Sequence, residues 1–172
     1  EKLDCDYQIC DVSDPKSVST SIKKIIKDHG RIDCFVNCAG LYIDGEIDSN
    51  DPNLIQKVLA VNSLGPILTT QALVPHLKKQ RSGTIININS TAGLHHKAFN
   101  SVYHSSKWAL TGFSQSIQSE LAPFGVKVVD IHPGVMKTKF TRGTNTDLSQ
   151  AIEPHQVVKA IDFILSLDKD TI

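Results

Sequence analysis

Thr84-Ile-Ile-Asn-Ile-Asn-Ser-Thr-Ala-Gly93 is an apolar run that stops at small residues. This pattern is typical of a buried strand followed by a turn. Ser90 therefore falls at the carboxyl end of the predicted strand. Because open α/β sheets bind their ligands at that edge, the Ser90 hydroxyl is a candidate for contact with a ligand.

The segment Ser101-Val-Tyr-His-Ser-Ser-Lys-Trp-Ala-Leu110 places Tyr103 four residues before Lys107. Four residues are just over one helical turn, so the phenol and the ammonium are predicted to share a helix face. A tyrosine, with its ordinary pKa near ~10, is a poor proton carrier at neutral pH, and an adjacent cation would lower that pKa. If Ser90 held a carbonyl or alcohol oxygen nearby, the three residues could transfer a proton at a C–O group. The simpler alternative is that Tyr103 packs and Lys107 is solvated.

Strand and helix patterns alternate along the chain. Ser13-Asp14-Pro15 is a typical helix start, and Gly30 is a typical stop. Pro66 and Pro75 lie within a long helical pattern and are expected to bend it. The alternation predicts one α/β domain over residues 1–172, in which helices cover a parallel sheet. Strands are predicted at residues 3–10, 32–37, 85–89 and 126–131, and helices at 15–30, 52–80, 101–122 and 153–167.

Composition agrees with one compact domain that has one core. Eighteen basic and eighteen acidic residues leave no net charge to attract nucleic acid. No apolar run reaches the ~20 residues of a membrane span and the first residues do not resemble a signal peptide, so a cytoplasmic protein is expected. The four cysteines lack paired metal-ligand spacing and are expected to be buried, reduced thiols rather than a metal site. They are Cys5, Cys10, Cys34 and Cys38.

Six motifs taken together resemble the short-chain dehydrogenase/reductase family, in its form with a Tyr-x-x-x-Lys active site. The resemblance runs over residues 11–167, and the motifs occur in the family's order. Each is weak alone, whereas six in register are a strong signal. The matching residues are Asp11-Val12 after the family's third strand, Asn37-Cys38-Ala39-Gly40 after its fourth, Asn62 in a helix, the active-site residues Ser90, Tyr103 and Lys107, and Pro133-Gly-Val-Met-Lys-Thr138 beside the nicotinamide.

The resemblance implies a Rossmann-like, doubly wound parallel sheet and an NAD- or NADP-dependent oxidoreductase that interconverts a carbonyl and an alcohol. It makes Tyr103 the general acid/base and Ser90 the group that polarises the substrate oxygen. Lys107 would lower the pKa of the phenol and bind the cofactor's ribose, and Asn62 would hold a water that links Lys107 to solvent. The residues implied at the cofactor are Asp11, Val12, Asn37, Ala39, Gly40, Tyr103, Lys107, Pro133, Gly134, Val135 and Thr138.

The sequence departs from the family's pattern in two respects. It has no Gly-rich Thr-Gly-x-x-x-Gly-x-Gly turn, which binds the pyrophosphate in the family. It also lacks the family's first strand, first helix, second strand and most of the last strand, so the fold is expected to be N-terminally truncated and the sequence to be a piece of a longer protein. The strand at residues 3–10 would then have no neighbour, and would pair abnormally or detach. The choice between NAD and NADP stays open, because the residue that decides it in the family lies in the missing part.

The resemblance implies a small-molecule carbonyl or alcohol substrate whose identity stays open. Residues 94–100 and 136–145 would line its pocket, and the loop at 134–149 would be either a lid or an irregular surface loop. Four basic residues near the pocket would suit an anionic substrate or would be merely solvated. They are Lys97, Lys137, Lys139 and Arg142.

Two further hypotheses concern partners. The resemblance implies a homodimer or homotetramer that assembles through the helices at 52–80 and 101–122. Alternatively, the chain is an inactive binding or scaffold protein. The missing dinucleotide turn favours that reading, and the retention of Asn62, Ser90, Tyr103 and Lys107 argues against it.

Overall fold

The structure is a computed structural model that describes residues 5–138 and 148–168 of the 172-residue chain. Strands and helices alternate through most of the described chain, as predicted. The elements are α1 (Pro15–His29), β1 (Cys34–Asn37), α2 (Pro52–Leu59), a π-helical turn (Ala60–Leu64), α3 (Gly65–Gln80), β2 (Gly83–Ile88), α4 (Ser101–Leu121), β3 (Val126–Ile131) and α5 (Pro154–Ser166).

The three strands form a parallel sheet in the order β1-β2-β3. In the register of the ladders, Ile85 lies beside Phe35 on one side and Val128 on the other. Apolar side chains from α1, α3 and α4 join Ile85 and Val128 in one core, with Leu73 fully buried. This confirms the predicted α/β architecture, in which helices flank a parallel sheet.

The ends of α1 follow from local sequence. The Asp14 side chain accepts hydrogen bonds from the backbone N–H groups of Lys16 and Ser17, which have no partner within the helix. Gly30 ends the helix in the left-handed region, at φ 78°, and donates to the Ile26 carbonyl. The predicted start and stop of this helix are therefore confirmed.

Residues 52–80 form one helical stretch with a π-helical turn before Pro66. Proline has no N–H and its ring clashes with the carbonyl four residues earlier, so a regular α-helical ladder cannot pass it. The N–H of Gly65 donates instead to the Ala60 carbonyl, five residues back. The turn relieves this conflict and contains Asn62, which is buried.

This helical stretch also corrects one expectation from composition. Pro52–Gln80 contains an 18-residue window of mean hydropathy 1.3. Its length and composition alone would therefore allow this helix to cross a membrane. We interpret it as a core helix, because Val58, Leu73 and Leu77 are buried within the protein.

The strand predicted at residues 3–10 is wrong for the part that the structure describes. Residues 5–10 form no strand and are exposed, and Ile9 is 92% exposed. A strand needs a hydrogen-bonding neighbour, and within the described residues β1 pairs only with β2. Side-chain hydrogen bonds connect this segment to α1. For example, Gln8 Nε2 donates to Ser21 Oγ at 2.8 Å.

The cysteines are free thiols, but the expectation that they are buried is wrong for three of the four. Cys5 and Cys10 are exposed because the segment that carries them is unpaired. Cys38 is exposed in the turn after β1, and Cys34 on β1 is half-buried. Within residues 5–138 and 148–168, no cluster of three histidine, cysteine or acidic side chains could hold a metal ion.

The predicted loop at 134–149 falls partly outside the described residues, and Lys139, Arg142 and Asn145 lie there. Its described ends are joined to the rest of the fold, because Met136 forms an isolated parallel bridge with Ile152. Lys137 forms an ion pair with Glu153 at 3.0 Å.

Candidate active site

Ser90 lies just beyond the carboxyl end of β2, as predicted. Its backbone is extended, and its hydroxyl accepts a hydrogen bond from the Ala92 N–H at 3.1 Å, which starts the short 3₁₀ turn Thr91–Gly93. The Thr91 N–H donates to the Pro133 carbonyl at 3.0 Å. These contacts hold the serine hydroxyl at the edge of the sheet where α/β proteins bind ligands.

Tyr103 and Lys107 lie on one face of α4 and line the same cavity as Ser90. The Lys107 ammonium lies 6.0 Å from the centroid of the Tyr103 ring. The Ser90 side chain lies close enough to Tyr103 to influence the pKa of its phenol. A second tyrosine, Tyr42, packs edge-on against Tyr103 with ring centroids 5.0 Å apart. The structure thus brings together the three residues that sequence analysis singled out.

Burial raises the pKa of Tyr103 above its ordinary value. The Ser90 side chain lowers the pKa, and Tyr42 raises it, but both effects are smaller than that of burial. Lys107 is not among the causes, so the expectation that its charge makes the phenol acidic is not met by these contacts. The reason is that burial disfavours the charged form of the phenol more than its surroundings stabilise that form.

Burial also acts on Lys107, which is 5% exposed. Removal from water lowers the pKa of its ammonium to about 8, although Cys38 and Asp130 oppose the shift. The ammonium donates to the Ile88 carbonyl at 3.1 Å. At neutral pH the lysine is therefore mostly protonated, and it is held at the end of β2.

The Asn62 side chain does not line the cavity. It is 1% exposed, and its amide oxygen accepts from the Leu41 N–H at 2.7 Å. Its amide nitrogen donates to the Leu41 carbonyl at 2.8 Å and to Ser106 Oγ at 3.0 Å. Asn62 thereby ties the π-helical turn both to the segment after Gly40 and to the helix that carries Tyr103.

A cavity of about 550 Å³ opens above these residues, a size typical of small-molecule sites. Its floor is the end of β2, and the first two turns of α4 and the loop after β3 form two of its walls. Eight of the residues predicted at the site line it: Gly40, Ser90, Tyr103, Lys107, Pro133, Gly134, Val135 and Thr138.

Four other predicted cofactor residues do not line the cavity. Asp11 is exposed, and hydrogen bonds from the Ser13 hydroxyl and N–H lower the pKa of its carboxyl. Val12 packs beside Gly65, where an added Cβ would lie 3.0 Å from the valine. The Asn37 side chain is engaged within the sheet, and Ala39 is exposed in the turn.

A family profile described as short chain dehydrogenase matches residues 2–149, which is most of the chain. The chain belongs to the short-chain dehydrogenase family. An uncharacterised oxidoreductase of Staphylococcus epidermidis is 33% identical to it over 156 residues, which are 91% of this chain and 68% of the relative.

Solved short-chain dehydrogenases share its fold. An alcohol dehydrogenase from the archaeon Thermococcus sibiricus, solved with 5-hydroxy-NADP, superposes with a TM-score of 0.88 at 26% identity. The match covers 96% of this chain and 70% of that one. A metagenomic short-chain oxidoreductase solved with NADP gives a TM-score of 0.83 at 28% identity, over 96% of this chain and 69% of the other. The present chain therefore spans about two thirds of the length of these relatives.

This short-chain dehydrogenase also has a buried polar network that sequence analysis missed. Asn87, which is fully buried on β2, accepts from Asn37 at 2.8 Å and donates to Ser114 at 2.8 Å and to Asp130 at 3.1 Å. Asn89 donates to Thr111 and to the same Asp130 carboxylate. The only signal in the sequence is the placement of two asparagines at alternate positions of an apolar strand, which puts both on one face.

Proposed function

We propose that this protein is an NAD- or NADP-dependent oxidoreductase that interconverts a carbonyl and an alcohol, with Tyr103 as its general acid/base. The observation that carries the proposal is that Ser90, Tyr103 and Lys107 line one cavity, with the Lys107 ammonium 6.0 Å from the centroid of the Tyr103 ring. Two hydroxyls that converge in this way can bind one substrate oxygen and exchange a proton with it.

The residues present fit the nicotinamide end of a dinucleotide. An ammonium has three donors, and one of those of Lys107 is directed at the Ile88 carbonyl, so others can serve ribose hydroxyls. A Cβ added to Gly134 would meet no atom within 4 Å, which leaves room beside the loop after β3. A bound nicotinamide cofactor would supply or accept the hydride at the substrate carbon.

The chain's own residues then handle the substrate oxygen. Ser90 would donate a hydrogen bond to it, and Tyr103 would give it a proton during reduction or remove one during oxidation. Because burial raises the pKa of Tyr103, the phenol is protonated at neutral pH and is suited to act as the acid.

We also assign Asn62 an indirect part in proton supply. Its side chain is fully used in holding Leu41 and Ser106. Its main-chain carbonyl loses the usual donor four residues later, because that residue is Pro66. A water on this carbonyl could link Lys107 to solvent, so the backbone at Asn62 rather than its amide would serve the relay.

We further propose a homodimer or homotetramer formed through α2, α3 and α4. Leu64 in the π-helical turn and Ile67 in α3 are exposed on the surface of the helical stretch 52–80. Trp108 is 51% exposed on the surface of α4. A Cβ added to Gly112 of α4 would meet nothing within 4 Å, so a partner helix could approach closely there. Sedimentation over a range of protein concentrations tests this proposal. A monomer at high micromolar concentration contradicts it.

The proposed reaction is tested by mixing the intact protein with NADH or NADPH and a panel of ketones, and following oxidation of the reduced cofactor. We expect turnover with one or both cofactors, and a large loss of turnover in Ser90→Ala. Ser105→Ala, which removes an exposed hydroxyl on α4, serves as the matched control and should retain turnover. Failure of the wild-type protein to oxidise either cofactor with any ketone would favour the inactive binding protein instead.

A further inference from the structure

The charged groups that line the cavity are of one sign. The described lining includes the ammonium groups of Lys97 and Lys107 and three of the seven histidines of the chain, and it includes no aspartate or glutamate. The whole chain has equal numbers of acidic and basic residues, so this lining differs from the average surface. Low-dielectric walls around charges of one sign concentrate their potential and attract ligands of the opposite sign.

Helix α4 adds to this positive potential. Its N-cap residue Asn100 and its first-turn residue Tyr103 both line the cavity, so the N-terminal end of this 21-residue helix faces the cavity. No acidic side chain lies in its first turn, and no side chain caps it. The partial positive charge of the helix N-terminus is therefore not offset locally.

The loop at residues 94–100 is fixed from both ends. Near its start, the His95 carbonyl accepts two side-chain hydrogen bonds from α4, from His104 Nδ1 at 2.6 Å and from Trp108 Nε1 at 3.1 Å. Near its end, the Phe99 carbonyl accepts from the Gly45 N–H at 2.8 Å. Phe99 has φ 63°, a left-handed conformation that is costly for an aromatic residue and persists only where surrounding contacts enforce it.

Lys97 lies between these two fixed points. It is exposed on the cavity wall, and none of the ion pairs between described residues involves it. Lys107, by contrast, is buried on the floor and donates to the Ile88 carbonyl. Lys97 is thus a cation on a constrained loop that faces the same cavity as the Tyr103 hydroxyl.

We propose that the substrates of this site are ketones that carry an oxyanion, such as a carboxylate, away from the reacting carbonyl, and that Lys97 binds the oxyanion. This inference rests on the proposed carbonyl reduction and specifies its substrate class. In the reaction, the carbonyl carbon receives a hydride from a reduced nicotinamide cofactor and the oxygen receives the Tyr103 proton, while the oxyanion is unchanged. The imidazoles of His95 and His96 supply further polar contacts on the same wall.

The test compares two ketones of one skeleton, 4-oxopentanoate and 4-oxopentanamide, which differ only in the charge of the remote group. For the intact protein we expect kcat/KM to be about threefold or more higher for the carboxylate, a preference that decreases with added salt. In Lys97→Gln the ratio of the two kcat/KM values should fall toward one, and in Lys97→Glu it should fall below one. Lys23→Gln, at an exposed position on α1 outside the cavity, should keep the wild-type ratio.

The outcomes separate this inference from the proposed function. Equal kcat/KM for the two ketones in the wild type, or a ratio that Lys97→Glu leaves unchanged, overturns the anionic substrate class while carbonyl reduction still stands. A Lys97 variant that changes the KM of the cofactor and not the substrate ratio also overturns it, because the lysine would then serve the dinucleotide. Absence of turnover with every ketone overturns both proposals.

Discussion

The imidazole Nδ1 of His132 lies 2.9 Å from the carbonyl oxygen of Ser90. Since a carbonyl only accepts, the imidazole donates this hydrogen bond. The far nitrogen of the ring, Nε2, lies 3.8 Å from the Asp130 carboxylate. His132 is thus fixed between an acid within the sheet and the backbone of the candidate catalytic serine.

This contact predicts that His132 positions Ser90. His132→Phe should lower kcat for ketone reduction by about tenfold, because a misplaced hydroxyl no longer holds the substrate oxygen. The KM of the cofactor should change little. His132→Asn can still donate to the carbonyl and should recover most of the lost kcat, whereas a merely structural role would make the two variants equally poor. Equal kcat values in both variants, after correction for the folded fraction, would contradict the prediction.

Lys107 makes stability depend on pH. Its pKa is 10.5 in an unperturbed chain and about 8 in the folded protein, so between these values the unfolded chain holds a proton that the folded protein has released. The free energy of unfolding should therefore rise with pH from about 8, by on the order of 3 kcal/mol in total. The raised pKa of Tyr103 acts in the opposite direction, but only above its ordinary value of 10.0.

Lys107→Met removes this titration. Urea unfolding at a series of pH values from 7 to 10 should show a rise in stability for the wild type that is smaller or absent in the variant. The variant also leaves the Ile88 carbonyl without its donor, but that loss is the same at every pH. Parallel pH profiles for the two proteins would show that burial does not depress the pKa of Lys107.

The buried network around Asn87 is predicted to be important for stability. Asn87→Ala would leave Asn37, Ser114 and Asp130 without one of their hydrogen-bond partners inside the protein. We expect the free energy of unfolding to fall by about 2–4 kcal/mol. Asn53→Ala, at an exposed asparagine of α2, should change it by less than about 0.5 kcal/mol. A loss at position 87 no larger than at position 53 would contradict this account.

Sequence predicted those features that depend on neighbours along the chain. Asp14, Pro15 and Gly30 define the ends of α1 because capping and a left-handed stop are local requirements. The spacing of Tyr103 and Lys107 fixes their common face for the same reason. Residues 5–10 of the strand predicted at 3–10 form no strand, which agrees with the alternative that this segment detaches because it has no neighbouring strand.

The other features depend on partners that are distant in sequence. Asn37 and Asn87, which bond to each other, are 50 residues apart, and His132 is 42 residues from Ser90. No local pattern indicates such pairs. The direction of the pKa shift of Tyr103 is a similar case, because it depends on the balance between burial and charge and only the folded arrangement determines that balance.

The central claim is that the Tyr103 hydroxyl transfers the proton at the substrate oxygen, and Tyr103→Phe tests it most directly, because the ring and its packing against Tyr42 are kept. The measurement is kcat for ketone reduction by the intact protein, together with the dissociation constant of NADPH or NADH from fluorescence titration. We predict that kcat falls by about 10²- to 10⁴-fold while cofactor binding stays within a few-fold. Wild-type turnover in the phenylalanine variant would show that another group supplies the proton and would contradict the account.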